Sequence, residues 1–209
     1  MAPEILRRLL KTFINHLALP HLATGDDNMI FGVTGFLASG KGEFSSYLAS
    51  KGFTAYSLSD VVREEVRSRG QEITRELLQA TANELRHKHG NDILARRIMK
   101  KLEPGKNYVI ESIRNPDEIK ALKRNKSFKL IYIDAPIELR FKRAKTRNRE
   151  KEAITFDEFK RSEEKELSSP DAASQQLIKC REMSDLTIVN DSSKGAFHKK
   201  IDRLVEGLR

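Results

Sequence analysis

The apolar run MIFGVT, residues 29–34, leads straight into GFLASGKGEF at 35–44, and this junction limits the fold more than any other stretch. Gly35, Gly40 and Lys41 match G-x-x-x-x-G-K, in which a strand ends in a glycine-rich turn and a helix opens at the second glycine. That geometry brings backbone N–H groups and the positive end of a helix onto one anion. Gly35, Ala38, Ser39, Gly40, Lys41, Gly42 and Glu43 are therefore the candidate phosphate-binding residues. A plain glycine turn between strand and helix has no need of Lys41. The next position calls for Ser or Thr, whose hydroxyl reaches a magnesium ion, and Gly42 stands there instead. Ser45 and Ser46 lie too far along the helix to be assigned as substitutes.

Downstream, short apolar runs alternate with helical patterns. Strands are expected at 29–34, 53–57, 107–111, 130–134 and 186–190. Helices are expected at 40–51, 59–69, 74–103 with a break at Gly90, 116–124, 136–147, 155–182 and 195–208. Such alternation predicts an α/β fold, a mostly parallel sheet with helices on both faces. Asn115-Pro116 reads as a helix start, and Ser59 or Asp60 can open the second helix. Residues 29–209 are expected to form one domain.

Residues 1–28 read differently. EILRRLLKTFINHL places Ile5, Leu9, Phe13 and Leu17 on one helical face, and LPHLATGDDN reads as a loop. A packed accessory helix, a flexible extension, or residues upstream of a native start at Met29 all remain open. Glu4 and the scarcity of Ser speak against a targeting presequence.

The chain of 209 residues is 38% hydrophobic and 33% charged, the balance of a soluble protein. Its one cysteine, Cys180, forbids an internal disulfide and predicts a reducing, cytoplasmic setting, with the thiol half-buried on a helix. No apolar run approaches the roughly 20 residues that span a bilayer. The net charge is +9, and residues 1–28 contribute none of it, since Arg7, Arg8 and Lys11 balance Glu4, Asp26 and Asp27. A basic balance favours polyanionic partners: nucleotides, nucleic acid or an anionic membrane surface. No nucleic-acid motif and no zinc-deaminase signature occurs.

The G-K-G of the loop resembles adenylate kinases and related nucleotide kinases, which usually follow it with Thr; Glu43 takes that place here. YSLSDVVREEVRSRG is similar to their acceptor side, supplying Ser59, Asp60 and Arg63. The resemblance implies that Arg63 grips an acceptor phosphate, whereas a surface ion pair is the plain alternative. YVIESIRN resembles their strand ending in Asp-Gly-Phe-Pro-Arg, with the spacing one residue shorter. This implies that Glu111 orders magnesium's water shell and that Arg114 contacts the acceptor. Residue position agrees, because an acid at a strand's carboxyl end lies in the crevice where open α/β sheets bind ligands.

IYIDAPIELRFKRAKTRNR puts Arg140, Arg143 and Arg147 on one helix face, with Arg149 beyond. In these kinases such a helix leads into a lid whose arginines stabilise the transferring phosphoryl group; here the lid spans about 147–156. SDLTIVNDSSKGAF resembles the last strand and loop of dephospho-CoA kinases and an archaeal adenylate-kinase-related family. Asn190 is then a base-side contact, or else a cap of the helix that follows.

The resemblance covers residues 29–209 and implies the P-loop kinase three-layer sandwich, with a five-stranded sheet and acceptor-binding helices at about 58–103. It implies transfer of the γ-phosphoryl group of ATP, with Mg2+, to a nucleoside or deoxynucleoside monophosphate. Two alternatives stand beside it. One is a dephospho-CoA kinase-like transfer to a ribose hydroxyl, with Asp60 accepting the proton. The other is an ATP-dependent regulatory or nucleic-acid-binding protein, in which Gly42 and Glu43 mark weakened catalysis.

Overall fold

The computed structural model describes residues 28–147, 155–167 and 176–208. Five strands form one sheet: β1 (Ile30–Thr34), β2 (Thr54–Ser57), β3 (Tyr108–Glu111), β4 (Phe128–Asp134) and β5 (Leu186–Val189). Their order is β2-β3-β1-β4-β5, and every pairing is parallel. Nine helices are described: α1 (Lys41–Ser50), α2 (Leu58–Ser68), α3 (Arg75–His89), α4 (Ile93–Met99), α5 (Pro116–Leu122), α6 (Ile137–Arg147), α7 (Phe156–Leu167), α8 (Leu177–Glu182) and α9 (Lys194–Gly207). Each strand lies within two residues of its expected bounds. The expected helix at 155–182 is described as α7 and α8.

Alternation along the central strand builds the layers. Successive side chains point to opposite faces of a sheet. Phe31 and Val33 join Phe44 and Leu48 of α1 and Phe197 and Ile201 of α9 on one face. Ile30 joins Leu58, Leu85, Leu94, Ile98 and Ile119 from α2 to α5 on the other. β1 is buried throughout, so its residues read as an unbroken apolar run. Burying each such large side chain stabilises the fold by roughly 1.5–3 kcal/mol. Gly32 is glycine for packing: a Cβ there would meet the Phe128 ring at 2.3 Å. β4 thus begins two residues earlier than expected, where Phe128 closes the floor of the sheet.

Caps set the helix starts. Ser57, Thr74, Asn115 and Ser193 accept hydrogen bonds from first-turn N–H groups of α2, α3, α5 and α9. Asn115 forms a full capping box with Glu118, whose buried carboxylate also pairs with Arg86 of α3 at 2.8 Å. Cys180 is fully buried on α8, and burial pushes its thiol well above the ordinary range, consistent with a packing role. Residues 1–27 and the lid span 148–154 lie outside the described residues. Among the described residues, no helix is long and apolar enough to cross a membrane.

Candidate functional site: the loop at the carboxyl end of β1

β1 ends at Thr34, whose hydroxyl donates to the Ile113 carbonyl at 2.9 Å and so ties the loop's root to the end of β3. The loop then takes conformations that favour glycine. Gly40, the N-cap of α1, has φ 114°, and a Cβ there would stand 2.2 Å from Asn190 Nδ2. Gly35, at φ 145°, faces the Ile133 carbonyl, which a Cβ would approach to 2.4 Å. Ala38 carries the strain of a left-handed conformation at φ 58°.

α1 differs from the capped helices in having no side-chain cap at its start. The orphan N–H groups of a first helical turn need an acceptor. Lys41 lies in that turn, and its Nζ donates to the carbonyls of Gly35 and Phe36 at 2.8 and 2.7 Å. The hydroxyl of Ser39, fully buried in the loop, has no hydrogen-bond partner among the described residues. An uncapped helix start, a lysine folded over the loop and an orphaned hydroxyl inside it all suit a bound phosphate.

Ser45 corrects the sequence reading. Its hydroxyl donates to Glu111 Oε2 at 3.2 Å. One helical turn beyond Lys41, its side chain is carried to the sheet side of α1, where β3 ends. A hydroxyl and a carboxylate therefore lie together beneath the loop, although Gly42 provides none. Among the described residues no cluster of three or more His, Cys, Asp or Glu forms a metal cage. This donor set suits magnesium, which is held mainly by water and phosphate with one or two protein groups.

Glu43 is a second correction. Its Oε1 lies 2.7 Å from His198 Nε2 and 3.0 Å from Lys194 Nζ, both on α9. Its charge is engaged by α9 rather than turned to the loop. Burial acts to raise the Glu43 carboxyl, but the hydrogen bonds and charges of His198 and Lys194 outweigh it and hold the group below the usual carboxylate range. His198 is itself stacked on Tyr47 of α1, with ring centroids 3.8 Å apart.

Two of the expected transfer arginines are engaged elsewhere. Arg140, only 4% exposed, donates from Nε to the Ala135 carbonyl at 2.9 Å and pairs through both terminal guanidinium nitrogens with Glu163 of α7. Its guanidinium lies over the ring of Phe36 in the loop at 5.1 Å. It clamps α6, α7 and the loop together, a correction to its expected role at the reacting group. Arg143 donates to both the main-chain and side-chain oxygens of Asn190 at 3.1 Å. Asn190 in turn donates to the Ser39 carbonyl at 2.8 Å. Its side chain braces the loop, and the cap of α9 is Ser193. Arg147 ends α6; its side chain, like Arg149, lies outside the described residues.

On α2, Arg63 and Asp60 pair with each other at 2.7 Å on the exposed face of the helix. Arg114 follows β3, half-buried, with its N–H on Glu118 and its carbonyl accepting from Gln176. Sequence reasoning missed Ser57 and Ser112, whose hydroxyls meet at 3.0 Å where β2 and β3 end. Ser112 holds a left-handed φ of 65°.

A family model described as "AAA domain" matches residues 32–168. A UPF0200 protein of Thermococcus gammatolerans is 31% identical over 185 residues, covering 85% of this chain and 94% of the relative. A UPF0200/UPF0201 protein of Archaeoglobus fulgidus is 33% identical over 182 residues, covering 84% of this chain and 54% of that longer relative. Among solved structures, shikimate kinase from Acinetobacter baumannii in complex with shikimate superposes with a TM-score of 0.53 at 15% identity, covering 87% of this chain and 95% of that one. That likeness concerns the fold alone. The chain belongs to the UPF0200 family, whose AAA domain here takes the P-loop kinase-like fold.

Proposed function

We propose that this protein is an ATP-dependent kinase that phosphorylates a nucleoside or deoxynucleoside monophosphate, in a cytoplasmic setting. One observation carries the reading: the Lys41 loop and the Ser45–Glu111 pair meet at the carboxyl ends of adjacent strands β1 and β3. Phosphoryl transfer demands positioning and charge neutralisation more than covalent chemistry. Lys41, already held over the loop, moves its ammonium from two carbonyls to the β- and γ-phosphates of ATP. The N–H groups of the loop and of α1's first turn hold the same phosphates.

Glu111 and Ser45 would hold Mg2+ through its water shell, and the ion would supply charge neutralisation on the phosphates. Asp60, Arg63 and Arg114 border the acceptor space, with helices α2 to α4 forming its wall. A guanidinium suits the acceptor's phosphate because its planar fork binds two oxygens at once. An ionised acceptor phosphate is itself the nucleophile, so no histidine base is needed.

The test is ATP-to-ADP conversion with magnesium against ribo- and deoxynucleoside monophosphates and dephospho-CoA. One acceptor should raise turnover well above the ATP-only rate, and Lys41→Ala and Glu111→Gln should abolish it. If ATP binds and no acceptor raises turnover, the kinase reading fails. Acceleration by dephospho-CoA alone would move the acceptor from a phosphate to a hydroxyl.

A further inference from the structure

One acid-free run of positive charge lies away from the loop, distinct from the arginines of α6 beside it. Residues 119–133 hold Lys120, Lys123, Arg124, Lys126 and Lys129 and not one Asp or Glu. They run from the end of α5 through a turn into the start of β4, all five exposed. Lys120 is paired with Asp117, and Lys123 with Asp185. Arg124, Lys126 and Lys129 have no ion-pair partner among the described residues.

Strand register explains the exposure of Lys129. β5 begins with Leu186 opposite Ile131, so the first residues of β4 project past it uncovered. The Lys123–Asp185 pair ties this turn to the α8–β5 turn, where Lys179 and Arg181 of α8 are also exposed. The patch lies at the amino ends of β4 and β5, whereas the loop lies at the carboxyl end of β1. The seven residues of β4 separate the two ends by roughly 20 Å.

We propose that this basic face binds the sugar-phosphate backbone of a nucleic-acid duplex, independently of the loop at the other end of the sheet. The patch's own chemistry selects that partner. The large apolar residues of the turn itself, Leu122, Phe128 and Leu130, are buried, and the exposed ones beside it, Ile178 and Leu186, are single side chains rather than the broad apolar face that inserts into a membrane interface. It likewise offers no exposed aromatic ring on which unpaired bases could stack, as single-strand binding requires. What remains is a row of cations able to replace the counterions of closely spaced phosphates, without reading sequence.

The measurement is fluorescence anisotropy of the full chain with short mixed-sequence DNA and RNA duplexes over a series of salt concentrations. Binding should weaken steeply with salt. The triple variant Arg124→Glu, Lys126→Glu, Lys129→Glu should bind at least about tenfold more weakly at low salt, with the log–log salt slope shallower by about 3. Its melting temperature and ATP binding should match the wild type. A control variant reversing Arg67, Lys199 and Arg203, exposed cations on α2 and α9, should keep the wild-type slope. The proposal is overturned if the wild type binds no duplex, if both triple variants lose binding equally, or if single strands or phosphatidylserine vesicles bind more tightly than duplex.

Discussion

Asn190 Nδ2 lies 2.8 Å from the Ser39 carbonyl, and a methyl group on the neighbouring Gly40 would come within 2.2 Å of that same nitrogen. The residue after β5 thus holds the loop after β1 from behind, across β4. Arg143 fixes the amide's orientation by donating to its oxygen.

Asn190→Asp tests this brace. Asp keeps the size and still accepts from Arg143, but it sets an oxygen against the Ser39 carbonyl. Loss of a buried hydrogen bond costs about 1–3 kcal/mol. Calorimetric titration with Mg-ATP should show affinity reduced about tenfold or more in both Asn190→Asp and Asn190→Ala. Unchanged affinity in the Asp variant would refute the brace.

Two glycines two residues apart should behave oppositely. Gly40→Ala combines a left-handed φ of 114° with the Asn190 contact, so a loss of about 2 kcal/mol or more is expected together with loss of ATP binding. A side chain on Gly42 meets no atom within 4 Å, so Gly42→Ser should melt within about 0.5 kcal/mol of the wild type. If the loop binds Mg-ATP, the new hydroxyl should also lower the magnesium concentration needed for half-maximal binding.

Arg140 should prove a stability residue. Removing one partner of a buried ion pair costs about 3–5 kcal/mol, and Arg140 and Glu163 side chains are only 5% and 14% exposed. Arg140→Ala and Glu163→Ala should each melt early, and the double variant should lose clearly less than their sum. Arg140→Lys should not restore stability, because an ammonium cannot reproduce the two-pronged pairing with Glu163. A normal melting temperature in Arg140→Ala would return the residue to the reacting phosphate.

Glu43 makes stability depend on acid. Its carboxyl titrates lower in the folded chain than the ordinary 4.5, so the folded state favours the charged form. The resulting stabilisation is complete above about pH 4.5 and disappears as pH falls through the lowered folded value. Comparison of Glu43→Gln with the wild type in denaturant melts should give a difference of about 0.5–1 kcal/mol near neutrality that shrinks below pH 4.5. A difference that is flat across this range would mean that the contacts with His198 and Lys194 do not hold the charge.

The sequence by itself determined the order of strands and helices and the place of the phosphate loop. Those features rest on local physics. β1 is apolar at every position because both its faces are buried, and Gly35, Gly40 and Lys41 are required by backbone conformation and charge within one short segment. Asn115-Pro116 likewise announced its helix through capping chemistry that acts within three residues.

Only the tertiary structure decided which groups meet. Ser45 reaches Glu111 from 66 residues away, and Asn190 reaches Ser39 from 151 away, because parallel strands bring their carboxyl ends to one edge. The arginines after β4 share a helix face in the sequence, but what each guanidinium meets depends on separate elements: Glu163 on α7 for Arg140, and Asn190 after β5 for Arg143. Glu43 stands in the candidate phosphate-binding segment of the sequence, but its charge is taken up by His198 and Lys194 of α9. Helical periodicity fixes the side of a helix from which a residue projects, and the chain's packing alone fixes what stands opposite.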